Sequence, residues 1–249
     1  TTNGPRSGIP GTLARIAQDA GFLFSTGTLG VILSATERYG ISDAPFTSPL
    51  TWGAAAASLT SAFLAARGVN PAHSMVANGA MLIAGSAYLL TMGAGSAFLI
   101  PAGMMASLGI ASALKAAEIF TGRKTPYLNS EAFVGLGGMG IAYTMGGGPA
   151  AIMAAAFAAL GLYFLMRSQG KSQSEFFRNS LASRACFMGI NVVSGAASLV
   201  SSENLSDLKT LSGAIGPVFL FAGNGMIYRH NRANLQKAIA AEAPPQQAL

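Results

Sequence analysis

Charged side chains are scarce in this chain: 15 lysines and arginines and 9 acids among 249 residues. A soluble domain carries roughly 25% charge. A chain of this length could bury a large core, but it could not then cover its surface with so few charges, so an ordinary soluble domain is excluded. A single cysteine, Cys186, excludes an internal disulfide framework and a Cys-rich metal site. The sequence contains no H-E-x-x-H, C-x-x-C, P-loop or G-x-S-x-G pattern. Its two histidines, His73 and His230, lie far apart and near the ends of apolar runs, so a haem held by histidines of two helices is not expected. No catalytic residue, metal or cofactor is expected.

Where the charge is missing says more than how much is missing. No Asp, Glu, Lys or Arg occurs at 20–36, 44–66, 68–114, 132–166, 185–202 or 210–228. A membrane span needs about 20 apolar residues, with a range of roughly 17–25. Four windows fit one span each and the two longest fit two each. The reading is an all-α integral membrane protein with about eight transmembrane helices. They pair as hairpins at about 13–66, 75–120, 130–166 and 184–228 within one transmembrane domain over 13–230. An N-terminal arm at 1–12 and a C-terminal tail at 231–249 flank it. No basic segment with a small-residue cleavage site precedes the first span, so no cleavable signal peptide is expected. Trp52 stands near the start of span two, where an indole suits a membrane interface. Pro101 and Pro149 stand near span starts, where the first turn lacks helical N–H partners. Ser174 to Asn179 is expected as a short interfacial helix in the longest polar connection, and the tail beyond the last span as loose.

Lysine and arginine set the orientation. Of 15, only Arg38 and Lys209 fall on one side of an eight-span arrangement; the rest, from Arg6 to Lys237, fall on the other. This positive-inside bias places both termini in the cytoplasm, as in a bacterial inner membrane. The basic face would attract anionic lipid headgroups, which accounts for the net charge of +6 without nucleic acid.

One phrase occurs almost twice. Tyr88-Leu-Leu-Thr-Met-Gly-Ala-Gly95 is echoed by Ala142-Tyr-Thr-Met-Gly-Gly-Gly148. Each ends an apolar run and opens another, so each reads as the turn of a helical hairpin. Hairpins one and four echo each other more faintly, through Ala20-Gly-Phe22 and Ala185-Cys-Phe187. Parallel repeats about an axis along the membrane normal are expected. The plan resembles that of hairpin-repeat transporters; a shared plan does not give function.

Small residues fill every span, which suits close helix packing. Unwound backbone beside a solute path is the sharper alternative, and Thr91, Gly93, Thr144 and Gly146 are its best places. Gly135-Leu-Gly-Gly-Met-Gly140 matches a dinucleotide fingerprint in letters only, because no acid occurs between Glu131 and Glu175. Ionisable groups in spans deserve a functional hypothesis. Asp19 is expected to pair with Arg15 one turn earlier, or across hairpins with Arg184. Lys115 and Glu118, three apart, are expected as an interfacial pair. Asn78, Asn191 and Asn224 are uncharged and deeper. They serve either helix–helix hydrogen bonds or a solute path.

Two functions follow. The first is a small-solute transporter or channel for a neutral or zwitterionic solute, with Asn78, Asn191 and Asn224 along the path and the two Thr-Met-Gly turns at its outer mouth. The second is a non-catalytic structural or assembly subunit, as a homo-oligomer or beside other membrane subunits. A polar cavity near mid-membrane separates them.

Overall fold

The computed structural model describes residues 9–35, 45–93, 96–121, 130–144, 148–167, 171–200 and 207–242. Among them every regular element is helical. α1 (Ile9–Ala17) and α2 (Ala20–Ala35) are followed by a short 3-10 turn, α3 (Pro49–Ala66), α4 (Pro71–Met92) and α5 (Ser96–Thr121). Then come α6 (Ser130–Thr144), α7 (Gly148–Arg167), α8 (Gln173–Val200) and α9 (Leu208–Glu242).

Local chemistry sets several of these ends. Ser48 caps α3, its hydroxyl accepting the Leu50 N–H at 3.2 Å, with Pro49 in the first turn. At the other end Gly68 takes φ +68, the left-handed conformation that glycine adopts without a Cβ clash. The Gly68 and Val69 N–H groups then close on the Ala65 and Leu64 carbonyls at 3.0 and 3.1 Å, the paired bonds of a glycine-terminated helix. Two residues later Asn70 caps α4 through the Ala72 N–H at 3.0 Å. The α3–α4 turn is thus specified residue by residue.

Five helices are long and apolar enough to cross a membrane: α4, α5, α7, α8 and α9. The count is six if α1 and α2, bent by 70°, form one broken span. This is the build of a multi-pass membrane protein. The two remaining helices occupy expected spans two and five. α3 is 18 residues long but rich in Ala, Ser and Thr. α6 has 15 residues, or about 22 Å at 1.5 Å per residue, short of a hydrocarbon core of about 30 Å.

The helices close into a ring. Each of α2 to α8 packs on its successor, and α9 packs back on α2. Within the ring one contact order occurs twice: α2 touches both α3 and α4, and α6 touches both α7 and α8. The closing seam is bare backbone. A Cβ on Gly30 of α2 would lie 2.7 Å from the Gly216 Cα of α9, and one on Gly216 would lie 2.9 Å from the Val31 nitrogen. Gly79 of α4 and Gly109 of α5 meet in the same way, each position's Cβ falling 3.0 Å from the other's carbonyl oxygen. Close packing is therefore what these glycines serve.

The ends of the helices sort by side. Ala20 of α2, Ala72 and Met75 of α4, Ala116 of α5 and Ile227 of α9 share one cluster. The starts of α2 and α4 thus meet the end of α5 and the later half of α9. α8 and α9 are longer than expected. Ser174 to Asn179 is no separate helix but the first part of α8, and α9 continues to Glu242 across what reads as tail. The two extensions are clasped together, since Glu242 accepts the Ser174 hydroxyl at 2.6 Å and the Ser174 N–H at 3.0 Å.

Candidate functional site

A cavity of about 80 Å³ lies inside the ring. A water needs roughly 10–15 Å³ measured this way, so the space admits several waters or one small solute. Six helices line it: α2, α4, α5, α6, α8 and α9. Asn78, Asn191 and Asn224 all face it, together with Ser112, Lys115 and Arg184. Apart from Thr28 the rest of the wall is apolar, with Phe24, Phe187, Ile190 and Ile227 prominent. No Asp or Glu belongs to the described lining.

The three asparagines are not alike. Asn78 donates to the Ser112 hydroxyl of α5 at 2.9 Å and accepts the Ser25 hydroxyl of α2 at 3.4 Å. Ser25 in turn meets Ser61 of α3 at 3.3 Å, so one polar chain ties four helices. Asn224 accepts Arg184 Nη1 at 2.8 Å and donates to the Leu220 carbonyl one turn back at 2.9 Å. Asn191 is 7% exposed, and its amide has no hydrogen bond to the described protein. The serine network escaped the sequence reading because serine is common in every span. The helical spacing of Ser74 with Asn78, and of Ser112 with Lys115, was the available signal.

Lys115 and Glu118 pair at 2.9 Å, and their side chains, 3% and 8% exposed, are buried among the helices. Glu118 also accepts the Ser130 hydroxyl of α6 at 3.4 Å. Arg184 lies eleven residues into α8 (184 − 173) and is 2% exposed. Asp19 forms no ion pair with Arg15 or Arg184 among the described residues. Its Oδ1 caps α2 by accepting the Phe22 N–H at 2.8 Å, and its Oδ2 accepts the Ser74 hydroxyl of α4 at 3.1 Å. Arg15 donates instead to Thr12 at 3.3 Å. A capping carboxylate ends α1 and starts α2, which is the physical cause of the bend.

Thr91 does not reach the cavity; it is exposed and donates to the Tyr88 carbonyl at 2.7 Å. Gly93 terminates α4. Thr144 ends α6, but its side chain, like all of Gly146, lies outside the described residues. Both Thr-Met-Gly phrases thus begin at the end of a helix.

Wall positions come in pairs. Phe24 and Thr28 of α2 lie 110 residues before Val134 and Gly138 of α6 (134 − 24, 138 − 28). Asn78 of α4 lies 113 before Asn191 of α8, each three residues after a methionine. Leu108 and Ala111 of α5 lie 116 before Asn224 and Ile227 of α9. The same offset relates Pro101 to Pro217 and Gly109 to Gly225.

No protein-family model matches the chain, and no curated protein or solved structure resembles it significantly.

Proposed function

We propose that this chain is an integral membrane protein of eight spans, with both termini cytoplasmic, that carries a small solute through the cavity at the centre of its ring. The cavity wall supports this reading most directly: three buried asparagines from three helices, α4, α8 and α9, share one space, and one amide is unspent. An amide without a partner in hydrocarbon costs several kcal/mol, so Asn191 is expected to face water or a ligand. A subunit built only for packing has no reason to keep it.

The wall pairs also favour an internal duplication, α2–α5 with α6–α9, in place of one between successive hairpins. Four helices return the chain to the side where it began, so the two copies run parallel about an axis along the membrane normal. Transporters built from repeats bind substrate at the repeat interface near the midplane, and the cavity lies between these two halves. In this arrangement α3 and α6 are spans shortened or diluted by the small residues that let neighbours approach.

The test is osmotic swelling of proteoliposomes in a panel of small solutes. Swelling by a subset of solutes, lost in Asn191→Leu with unchanged thermal stability, supports a path. Impermeability to the whole panel, with Asn191→Leu more stable than the wild type, leaves the structural-subunit reading ahead.

A further inference from the structure

Asn191 has no hydrogen-bond partner among the described residues, and in the proposed duplication the second half of the chain lacks the groups that hold Asn78 in the first. The wall register places Gly135 where Ser25 stands (25 + 110) and Tyr228 where Ser112 stands (112 + 116). Both serines that bond the Asn78 amide are thus replaced, and Asn191 keeps a donor and an acceptor that no side chain satisfies. It is 7% exposed and faces the cavity.

The neighbouring chemistry gives the ligand class. Arg184, Phe187 and Asn191 lie at i, i+3 and i+7 of α8 and all line the cavity, so they share one helix face. Arg184 is oriented by its 2.8 Å bond to Asn224, which engages Nη1. A guanidinium carries five N–H donors and no acceptor, and it suits carboxylate geometry better than any other side chain. The wall thus offers a cation at one end, an apolar floor at Phe187 and Ile190, and a neutral amide two turns away. We infer that the cavity takes a small carboxylate that carries a second hydrogen-bonding group: the acid toward Arg184, the other group on Asn191. This deepens the solute-path reading and rests on it. It also replaces the neutral or zwitterionic solute expected when no buried charge was in view.

The experiment uses the full chain in detergent, with thermal shift read against γ-hydroxybutyrate, its amide and butyrate. The acid with its hydroxyl is expected to act at concentrations about tenfold lower than either partner probe, the weight of one hydrogen bond to or from the ligand. Asn191→Leu removes a side chain with no hydrogen bond to the described residues, so the fold is kept. It should erase the advantage over butyrate and preserve the advantage over the amide. Equal response to the acid and its amide overturns the carboxylate assignment. An unchanged profile in Asn191→Leu overturns the role of Asn191, as does a response to none of the three. Solute-dependent swelling that persists in either case shows that the path itself stands and only its ligand class has failed.

Discussion

Asp19 and Ser74 join the first bend of the chain to the start of α4: one carboxylate oxygen takes the Ser74 hydroxyl at 3.1 Å while the other caps α2 through Phe22. The carboxylate acts here as an acceptor and not as an ion-pair partner. Asp19→Asn keeps one oxygen to accept the Phe22 N–H and turns the other bond round, its amide NH2 donating to the Ser74 hydroxyl oxygen, and should leave thermal stability near wild type. Asp19→Ala removes both bonds and should cost about 0.5–2 kcal/mol, the weight of a lost cap. Equal damage by both variants would instead point to an ion pair.

The ring seam should be intolerant of a single methyl group. Gly30→Ala and Gly216→Ala each press a Cβ into backbone that cannot swing aside, and overpacking of this kind costs about 1–3 kcal/mol. Gly103→Ala is the control, because nothing lies within 4 Å of its Cβ position. It should be neutral or stabilising in the same melting assay, and a loss there equal to the seam variants contradicts the packing account.

How much of this was legible in the sequence depends on which residue is asked. The charge-free windows located the long apolar helices, and the three asparagines were picked out because buried amides are rare and costly. The length of helix before Arg184 was not legible because the polar run from Ser174 to Ser183 reads as a connection with a short separate helix. In the fold those residues extend α8 past the apolar core and meet α9, whose own extension reads as tail. Asp19 misled because an acid one turn after an arginine looks the same whether it pairs or caps. The offsets that motivate the proposed duplication were hidden because Ala, Gly and Ser recur everywhere; the shared cavity wall singled out Asn78 and Asn191.

The clasp between Glu242 and Ser174 should respond to pH. The Ser174 hydroxyl, then the Ser174 N–H, bond the charged carboxylate and hold it below the usual carboxylate range. A folded-state value that is lowered contributes stability above the ordinary carboxylate range and loses it as pH falls through the lowered value. Spin labels at Lys171 and Ala241 should therefore sit close together at neutral pH and separate in acid. Glu242→Gln should weaken the clasp at neutral pH and remove most of the pH response. A distance that ignores both pH and substitution rules the clasp out.

Sidedness can be read in a Cys186→Ser background with single cysteines at Ser42, Ser172 and Ser206. An impermeant thiol reagent applied outside intact cells should label the first and last and spare Ser172→Cys. Labelling of Ser172→Cys alone would reverse the orientation, and a mixed pattern would break the eight-span count.

Water should reach the space inside the ring, with Asn191 on its wall. Asn191→Cys in the Cys186→Ser background tests it most directly, using a small charged thiol reagent on the folded protein in membranes. The account predicts reaction from an aqueous side, slowed by any solute that occupies the cavity. Reaction only after denaturation would contradict it, because Asn191 would then lie in a dry helix contact and not beside a path.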